Sequence, residues 1–287
     1  MAFSVNTNVG AMAALQSLNS TNKDLSTTQS RINTGLNVAS TKDDSASYTI
    51  AQTLRGDMGG LKSVSSSLSR AKSVTDVAVS GAEQISDVVN QMKAKAYQAA
   101  DDGVDQASRD AINKDFEALR DQIKTVIDSS EFNGTNLLKA SGGNVTALQS
   151  LNDTDGATAG YTPDTLKVDN LELDLGKTGG TFEKLTTTSK IDTAAGAKTM
   201  VDDLTTIATN LNGKLSTLGA ASRKIDAQAT FTSKLSDVVE SGIGNLVDAD
   251  LAKESAKLQA LQVKQQLGVQ ALSIANQAPQ TITSLFR

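Results

Sequence analysis

The sequence predicts a mainly α-helical fold: a long antiparallel helical bundle or coiled coil, with a terminal helix pair and a small β-hairpin insert. Apolar residues make up 38% of the 287 residues and aromatic residues only 3%, so the core is expected to consist of Ala, Leu, Val and Ile, which favours seams between helices. The two prolines, Pro163 and Pro279, leave the first 162 residues without a strong helix breaker. Apolar residues also recur at helical steps of three and four on both sides of a Gly- and Thr-rich middle.

The N-terminal segment, residues 1–34, carries a sparse apolar stripe. Its members are Val5, Val9, Met12, Leu15, Leu18, Leu25 and Ile32. Steps of three and four between them predict an amphipathic helix with these side chains on one face. Gly35 and the polar residues up to Asp44 then predict a break in the helix.

A second and much longer helix is predicted from about Thr41 to Ala100, because the apolar rhythm continues without a proline. Such a helix would be about 80–90 Å long at about 1.5 Å per residue, a length typical of bundles and coiled coils. The paired acids Asp43 and Asp44 lie near its start, where carboxylates stabilise a helix end.

A third helix is predicted after the sequence Asp101-Asp102-Gly103, which ends the second one. Either Asp105 or Ser108 could cap it. Its apolar face contains Ile112, Phe116, Leu119, Ile123 and Val126.

The middle of the chain has a different composition. Asn133-Gly134 predicts a tight turn, and residues 135–190 are rich in Gly, Thr, Asp and Asn. Apolar and polar residues alternate from Leu166 to Leu175, which predicts short antiparallel strands and hairpins.

Helical spacing returns at about Ala194, and the glycines of residues 241–244 predict a flexible break. The last segment, about 246–278, is expected to end at Pro279 and is apolar on two sides. One side contains Val247, Leu251, Leu258, Leu261, Leu272 and Ala275. The other contains Val263, Leu267 and Ile274.

The terminal stripes need partners, because an isolated amphipathic helix is marginal in water. The N-terminal stripe is the expected intramolecular partner of the C-terminal segment, and the remaining apolar side predicts contact with other chains. Head-to-tail contacts that do not close generate a helical filament. A monomeric bundle with frayed ends and a coiled coil that binds another protein are the alternatives.

The residue types exclude several classes of function. The chain has no Cys and no His, which excludes disulfides, thiolate chemistry, the usual zinc ligands and His-based catalysis. Its net charge of −5 argues against sequence-independent nucleic-acid binding. Ser69 and Lys72 match S-x-x-K and residues 177–179 match K-T-G, but no S-D-N motif accompanies them. Residues 153–156 resemble the start of a calcium loop without its closing Glu. We predict no catalytic residue, metal site or cofactor.

Targeting signals give a separate expectation. The N-terminus lacks the basic and apolar regions of a Sec-type signal peptide, and no run of 18 apolar residues predicts a membrane span. These rules alone favour the cytoplasm, and the absence of Cys is compatible with that location or with one outside the cell.

Several motifs resemble those of bacterial flagellins. Residues 31–46, RINTGLNVASTKDDSA, are close to a flagellin signature, and residues 3–8, FSVNTN, are similar to the flagellin N-terminus. The FNG of residues 132–134 is similar to the turn after the family's second helix, and ANQAPQ at 275–280 with the final SLFR resembles the family's C-terminus. The resemblance covers about residues 1–140 and 190–287, and the middle carries no family signature.

The resemblance implies a function. Flagellins are exported unfolded by the flagellar type III apparatus with its chaperone, without a cleaved signal, and polymerise outside the cell into the filament that drives swimming. Hook-associated and cap proteins are the further partners implied. The terminal helices, disordered in the monomer, would line the filament core. The assembly core would then contain Val5, Val9, Met12, Leu15, Leu18, Leu25, Ile32, Val247, Leu251, Leu258, Leu261, Leu267 and Leu272.

The resemblance also implies a domain plan. Residues 1–34 with 246–287 would form the inner domain, 35–44 and 239–245 the linkers, 45–140 with 190–238 the helical outer domain, and 141–189 the variable surface insert. Gly35, Gly242 and Gly244 would be the hinges of the linkers, where glycine turns with little strain.

One segment departs from the family pattern. Flagellins that activate Toll-like receptor 5 resemble one another at a helical segment reading QRVRELAVQ, and residues 90–98 read NQMKAKAYQ here. Gln91 replaces an Arg and cannot supply its forked, charged donor, while Lys95 places a cation where a Leu is expected. We expect weak or absent receptor activation, unless these are ordinary solvated helix positions.

Two other functions stay open at this point. A hook–filament junction protein of the same family shares the terminal helices, and a coiled-coil scaffold, with or without a hydrolase, would share the periodicity. The flagellin-like signatures at both ends and the short insert favour the filament subunit.

Overall fold

A computed structural model describes residues 7–153 and 162–285, which contain five α-helices and a two-stranded antiparallel sheet. The helices are α1 (Val9–Thr34), α2 (Ser45–Ala100), α3 (Gln106–Ser129), α4 (Ala194–Val247) and α5 (Leu251–Leu285), and the strands are β1 (Val145–Asp153) and β2 (Pro163–Val168). The chain divides into a terminal unit, Met1–Gly56 with Val238–Arg287, and a central unit, Asp57–Asp237. None of the described helices combines the length and apolar character needed to cross a membrane.

In the terminal unit, α1 and α5 pack side by side. Asn8 caps the start of α1, because its side-chain Oδ1 accepts the N–H of Ala11 at 3.0 Å. Gly35 ends the helix in the left-handed conformation, with φ of 72°, and its N–H donates to the Arg31 carbonyl at 2.9 Å. Glycine adopts this conformation without a Cβ clash, so the break predicted at Gly35 has a local cause.

The chain segments that follow α1 and α4 are hydrogen-bonded to each other. The N–H groups of Asn37 and Val38 donate to the Val247 carbonyl at 2.8 and 3.2 Å, and the N–H of Ala249 donates to the Gly35 carbonyl at 2.9 Å. We call this set of main-chain bonds, between residues 35–38 and 247–249, the clasp. The side chains of Val38 and Val247 are buried beside it.

The break predicted at residues 241–244 is wrong. Gly242 and Gly244 lie inside α4, which continues to Val247, and the chain leaves the helix only at residues 248–250. Glycine in a helix costs only about 1 kcal/mol, and the buried side chains of Ile243 and Val247 anchor this end. Asp250 then starts α5 by accepting the N–H groups of Ala252 and Lys253 at 3.0 Å each. The segment predicted to begin near residue 246 therefore begins at Leu251.

The predicted end of the last helix at Pro279 is also wrong, because α5 continues to Leu285. A proline inside a helix removes the N–H that would bond to the carbonyl four residues earlier. That carbonyl belongs to Ala275, and the Asn8 side-chain Nδ2 donates to it at 2.7 Å. The helix can pass the proline because a donor from another segment replaces the missing one.

The central unit has one continuous apolar core between α2, α3, α4 and the insert. Its largest fully buried side chains are Phe116, Phe182, Leu68, Ile85, Met92, Ile123, Leu137, Leu138, Leu173, Leu185, Ile191 and Leu204. Leu235 of α4, which the sequence pattern places on the seam, is 37% exposed, and Thr232 is buried instead. Small and aliphatic side chains dominate this core, as the composition predicts.

Two side chains organise the turn between α2 and α3. Asp105, one of the two predicted caps, accepts the N–H of Ser108 at 3.0 Å and its hydroxyl at 2.8 Å. The buried guanidinium of Arg109 donates to the carbonyls of Ala99, Asp101 and Val104. Arg109 thus satisfies one carbonyl in the last turn of α2 and binds two more in the turn that follows.

The predicted turn at Asn133-Gly134 lies between α3 and the insert. Both residues have positive φ, 51° and 80°, as a type I′ hairpin turn requires, and Phe132 and Thr135 exchange main-chain hydrogen bonds across it. β1 and β2 pair Val145 with Val168.

The strand predicted through Leu175 ends at Val168 instead. The N–H groups of Leu171 and Leu173 donate to the carbonyls of Leu137 and Leu138, at 2.8 and 2.7 Å. The pairing there is with an irregular segment, because the Asn170 side chain bonds three nearby carbonyls and turns the chain. Strand β1 was not predicted from the alternating pattern, which begins at Leu166.

Three side chains of α3 hold the segment that leads into α4. They lie seven residues apart, on one face of α3. Gln106 donates to the Asp192 carbonyl at 3.0 Å, Asn113 accepts the N–H of Ile191 at 2.8 Å, and Arg120 donates to the Ser189 carbonyl at 3.1 Å.

Candidate assembly interface

The contact between α1 and α5 is a narrow antiparallel seam with heptad spacing. Its positions on α1 are Ala11, Ala14, Leu18, Thr21, Leu25, Thr28 and Ile32, which are buried or half-buried. Its positions on α5 are Glu254, Leu258, Leu261, Gln265, Gly268, Leu272 and Ala275. Alternate steps of three and four keep both sets facing each other, as in a coiled coil.

Part of the predicted N-terminal stripe points away from this seam. Val9, Met12 and Leu15 are 75%, 65% and 48% exposed, whereas Leu18 and Leu25 lie on the seam. Each step of three turns about 60° short of a full circle, so Val9 and Leu18 lie on opposite sides of the helix. The prediction of one face is therefore wrong for this part of α1. Val5 lies outside the described residues.

The C-terminal helix presents a second apolar side to solvent. Leu258, Leu261 and Leu272 lie on the seam, whereas Leu251 and Leu267 are 50% and 59% exposed. Val263, Val269 and Ile274 are also exposed. Val247, assigned to this helix from the sequence, is the last residue of α4 and is buried at the clasp.

Polar bridges cross the seam along its length. Arg31 Nη1 lies 3.4 Å from Glu254 Oε1, Gln265 donates to the Asn22 side-chain oxygen at 2.7 Å, and Asn8 donates to the Ala275 carbonyl at 2.7 Å. None of these pairings was predicted. The heptad repeat, which also contains Thr and Ala, is the sequence signal that could have located them.

Gly268 brings the two helices close together. A Cβ added at Gly268 would lie 3.2 Å from Leu18 Cδ1, tighter than an ordinary contact. The seam therefore relies on a small residue where the opposite side chain is large.

Two carboxylates after α1 act as turn and cap groups. Hydrogen bonds from the Ser40 hydroxyl and N–H hold the pKa of Asp43 below its ordinary value of 3.8, with smaller contributions from the Ala39 N–H and the charge of Arg31. Hydrogen bonds from the Ser47 hydroxyl and N–H lower the pKa of Asp44 in the same way, with a smaller one from the Ala46 N–H. Both groups stay ionised near neutral pH and neither is poised for proton transfer.

Gln91 and Lys95, the two residues at which the sequence departs from the receptor-activating pattern, lie in the central unit beside an open groove. Lys95 of α2 donates to Asp115 of α3 at 2.7 Å between Nζ and Oδ2. The groove, of about 440 Å³, is lined by Gln91, Ala94, Lys95, Asp115, Ala118, Leu119 and Gln122. Lys95 is thus engaged in an ion pair with α3.

Metal-ligating side chains do not cluster in the described part of the chain: no group of three or more Asp or Glu residues there could hold an ion. Asp153 ends β1, and the rest of the predicted calcium-loop likeness, residues 154–156, falls outside that part.

Comparison with known families decides between the alternatives. The bacterial flagellin N-terminal helical region matches residues 5–142, and the bacterial flagellin C-terminal helical region matches residues 200–286. The chain belongs to the bacterial flagellin family. Both matches include one helix of the terminal seam, and residues 143–199, with most of the insert, lie outside them.

Relatives of similar length support the same assignment. Flagellin FljK of Caulobacter vibrioides is 46% identical over 284 residues, which cover 99% of this chain and 98% of the relative. A flagellin of Brucella melitensis is 37% identical over 294 residues, with 99% of both chains covered. This flagellin is a structural subunit of the bacterial flagellar filament, and it polymerises with other flagellin subunits.

A solved structure shares the fold. A flagellar hook-associated protein of Vibrio parahaemolyticus aligns with a TM-score of 0.54 and 16% identity, over 72% of this flagellin and all of that chain.

The flagellin family is structural and non-enzymatic, and it forms the extracellular flagellar filament.

Proposed function

We propose that this flagellin assembles through the apolar side chains that the α1–α5 seam leaves uncovered. Their exposure is the observation that carries the proposal: Met12 on α1 and Leu267 on α5 are 65% and 59% exposed, although both helices already have a partner in the same chain. Covering a few hundred Å² of this surface on each subunit would contribute several kcal/mol, at about 25 cal/mol per Å².

The terminal pair would form the filament core, with Val9, Met12, Leu15, Leu251 and Leu267 in contacts between subunits. Leu18, Leu25, Ile32, Leu258, Leu261 and Leu272 would instead hold the pair together within each subunit, and Val247 would anchor the clasp. The left-handed Gly35 would orient the connection, while Gly242 and Gly244 would act as helical residues rather than hinges.

Export would precede assembly. The flagellar type III apparatus and its chaperone would deliver the unfolded chain to the outside of the cell, where hook-associated and cap proteins would start and guide the filament for swimming. The absence of Cys supports this route, because a chain without thiols forms no cross-link in a narrow channel.

A purely structural role fits the residue types. Catalysis would need a nucleophile or an acid–base group with a partner, and Ser69 and Lys72 instead lie within the long helix α2. Lys72 is engaged with Asp226 at 2.8 Å and with Asp76 at 3.5 Å. We infer that this flagellin catalyses no reaction and binds no cofactor.

Seeded polymerisation of the purified, full-length protein tests the proposal. We expect long filaments above a critical concentration, and no filaments after removal of residues 1–34 or 246–287. Circular dichroism of the truncated proteins should keep most of the helicity of the central unit. Normal filaments from either truncation would contradict the proposal.

A point variant sharpens the test. Leu267→Gln removes an exposed apolar side chain, so it should leave the α1–α5 seam intact and raise the critical concentration at least about tenfold, if about 50–60 Å² is covered between subunits. Gln266→Ser, at the neighbouring exposed position, is the control and should polymerise normally. Equal polymerisation of both variants would exclude this face from the contact.

A further inference from the structure

One carboxamide serves both terminal helices. The Asn8 Oδ1 accepts the N–H of Ala11 at 3.0 Å and so caps α1. The Nδ2 of the same group donates to the Ala275 carbonyl of α5 at 2.7 Å. Ala275 is the residue whose carbonyl loses its helical donor, because the nitrogen of Pro279 carries no hydrogen. The donor that the chain lacks at residue 279 is thus supplied from the other end of the sequence.

We propose that Asn8 is a positioning residue for filament assembly, a role that rests on the proposed function of the terminal pair. Its Nδ2 replaces the N–H missing at Pro279, which lets α5 continue to Leu285 and fixes the start of α1 opposite Ala275. The neighbours of this bridge in sequence, Val9 and Ile274, are 75% and 69% exposed. The bridge therefore holds the end of the pair at which apolar surface is most available to other subunits.

The choice of Asn at this position follows from the double task. A helix cap needs only an acceptor, and Asp or Ser would cap α1 about as well. The carboxamide offers an acceptor to Ala11 and a donor to Ala275 on two separate atoms, whereas a carboxylate has no donor and a serine hydroxyl has both functions on one oxygen with a shorter reach. An aspartate at residue 8 would keep the cap and lose the donation, which separates the two roles.

The test combines Asn8→Asp with Pro279→Ala in the full-length protein. Pro279→Ala restores an N–H that can donate to the Ala275 carbonyl within α5. We expect Asn8→Asp alone to raise the critical concentration for seeded polymerisation about fivefold, the equivalent of one net hydrogen bond. In the Pro279→Ala background the same substitution should change it less than about twofold, within the scatter expected of uncoupled sites.

Two further variants separate the lost donation from the added charge and from the cap. Gln29→Glu adds the same charge at an exposed position of α1 outside the seam, so it should polymerise like the unchanged protein. Asn8→Ser is uncharged, caps α1 and cannot reach Ala275, so it should behave like Asn8→Asp and be rescued by Pro279→Ala. Amide exchange of residues 280–285 in filaments should be faster in both Asn8 variants and slow again in the rescued ones.

The outcomes are distinct. An equal loss from Asn8→Asp with and without Pro279→Ala would show that Asn8 acts only as a cap or through charge, and would overturn the inference. The absence of any loss would also overturn it. Failure of the unchanged protein to polymerise on seeds would instead refute the proposed function, whatever the variants do.

Discussion

Arg31 and Glu254 meet across the seam of the terminal helices through a single contact. Nη1 of Arg31 lies 3.4 Å from Oε1 of Glu254, while Nε of Arg31 and Oε2 of Glu254 are buried with no hydrogen-bond partner among the residues that the structure describes. Both helices present mostly small or aliphatic side chains elsewhere on the seam, so we expect this ion pair, together with the other polar bridges, to fix their register more than to add to their stability.

Removal of one member of this pair should destabilise the terminal helices. We expect Arg31→Met or Glu254→Met to cost about 2 kcal/mol, because each leaves a partly buried charge without its partner. The double variant should recover most of that loss, since two apolar side chains can pack together. Calorimetric melting of assembled filaments measures the four states of this cycle, and additive losses would show that the two residues are not coupled.

Two helical glycines should respond in opposite directions to alanine. A Cβ at Gly81 would overlap Ser130 Oγ and lie 2.9 Å from Leu138 Cδ1, so Gly81→Ala should destabilise the central unit by about 2 kcal/mol. At Gly213, no described atom outside the local backbone of α4 lies within 4 Å of such a Cβ, so Gly213→Ala should stabilise the central unit by about 0.5–1 kcal/mol. Urea unfolding of the full-length monomer, followed by circular dichroism, provides the comparison.

Low pH should destabilise the first turns of α2 and α3. Hydrogen bonds from Ser108 hold the pKa of Asp105 below 3.8, as those from Ser47 do for Asp44. A carboxylate whose pKa is lower in the folded chain than in the unfolded chain stabilises the fold at pH values above its unfolded pKa, which is near 3.8. This stabilisation is lost as the pH falls through the lower pKa of the folded chain. Helicity measured against pH should therefore decline below about pH 4, and Asp44→Asn with Asp105→Asn, which keep the caps without titrating, should reduce the decline.

We expect this flagellin to activate Toll-like receptor 5 only weakly, and two substitutions to increase the activation. With monomeric protein on Toll-like receptor 5 reporter cells, we expect low potency, because Lys95 is paired with Asp115 and Gln91 has no charged fork. Gln91→Arg with Lys95→Leu should raise potency by about tenfold, the effect of one charge-assisted contact. Potency of the unchanged monomer equal to that of an activating flagellin would refute this expectation.

The sequence predicts the helices well and their contacts less well. Local chemistry depends on neighbouring residues and can be predicted from the sequence. It accounts for the long helices, the cap at Asp105 and the turn at Asn133-Gly134. The face of α1 that packs against α5 does not follow from local chemistry, because Thr21 and Thr28 are buried on it while Val9 is exposed. Whether a threonine is buried depends on the helix that packs against it. The positions of apolar residues on one helix therefore cannot predict which threonines are buried.

The errors at Gly244 and Pro279 share one cause. Both residues lower helix propensity by a fixed local amount, and both positions are helical because another part of the chain compensates. Val247 is anchored at the clasp, and the Ala275 carbonyl accepts a bond from Asn8. Such compensation joins residues more than 200 positions apart, so no local window contains it.

The clasp has a practical consequence for labelling. Asn37 contributes its main-chain N–H to the clasp and its side chain is exposed, so a substitution at this position should leave the clasp intact. Because the chain contains no cysteine, Asn37→Cys would create a unique thiol. A fluorophore attached there would report on the junction of the terminal helices in growing filaments without competing reaction sites.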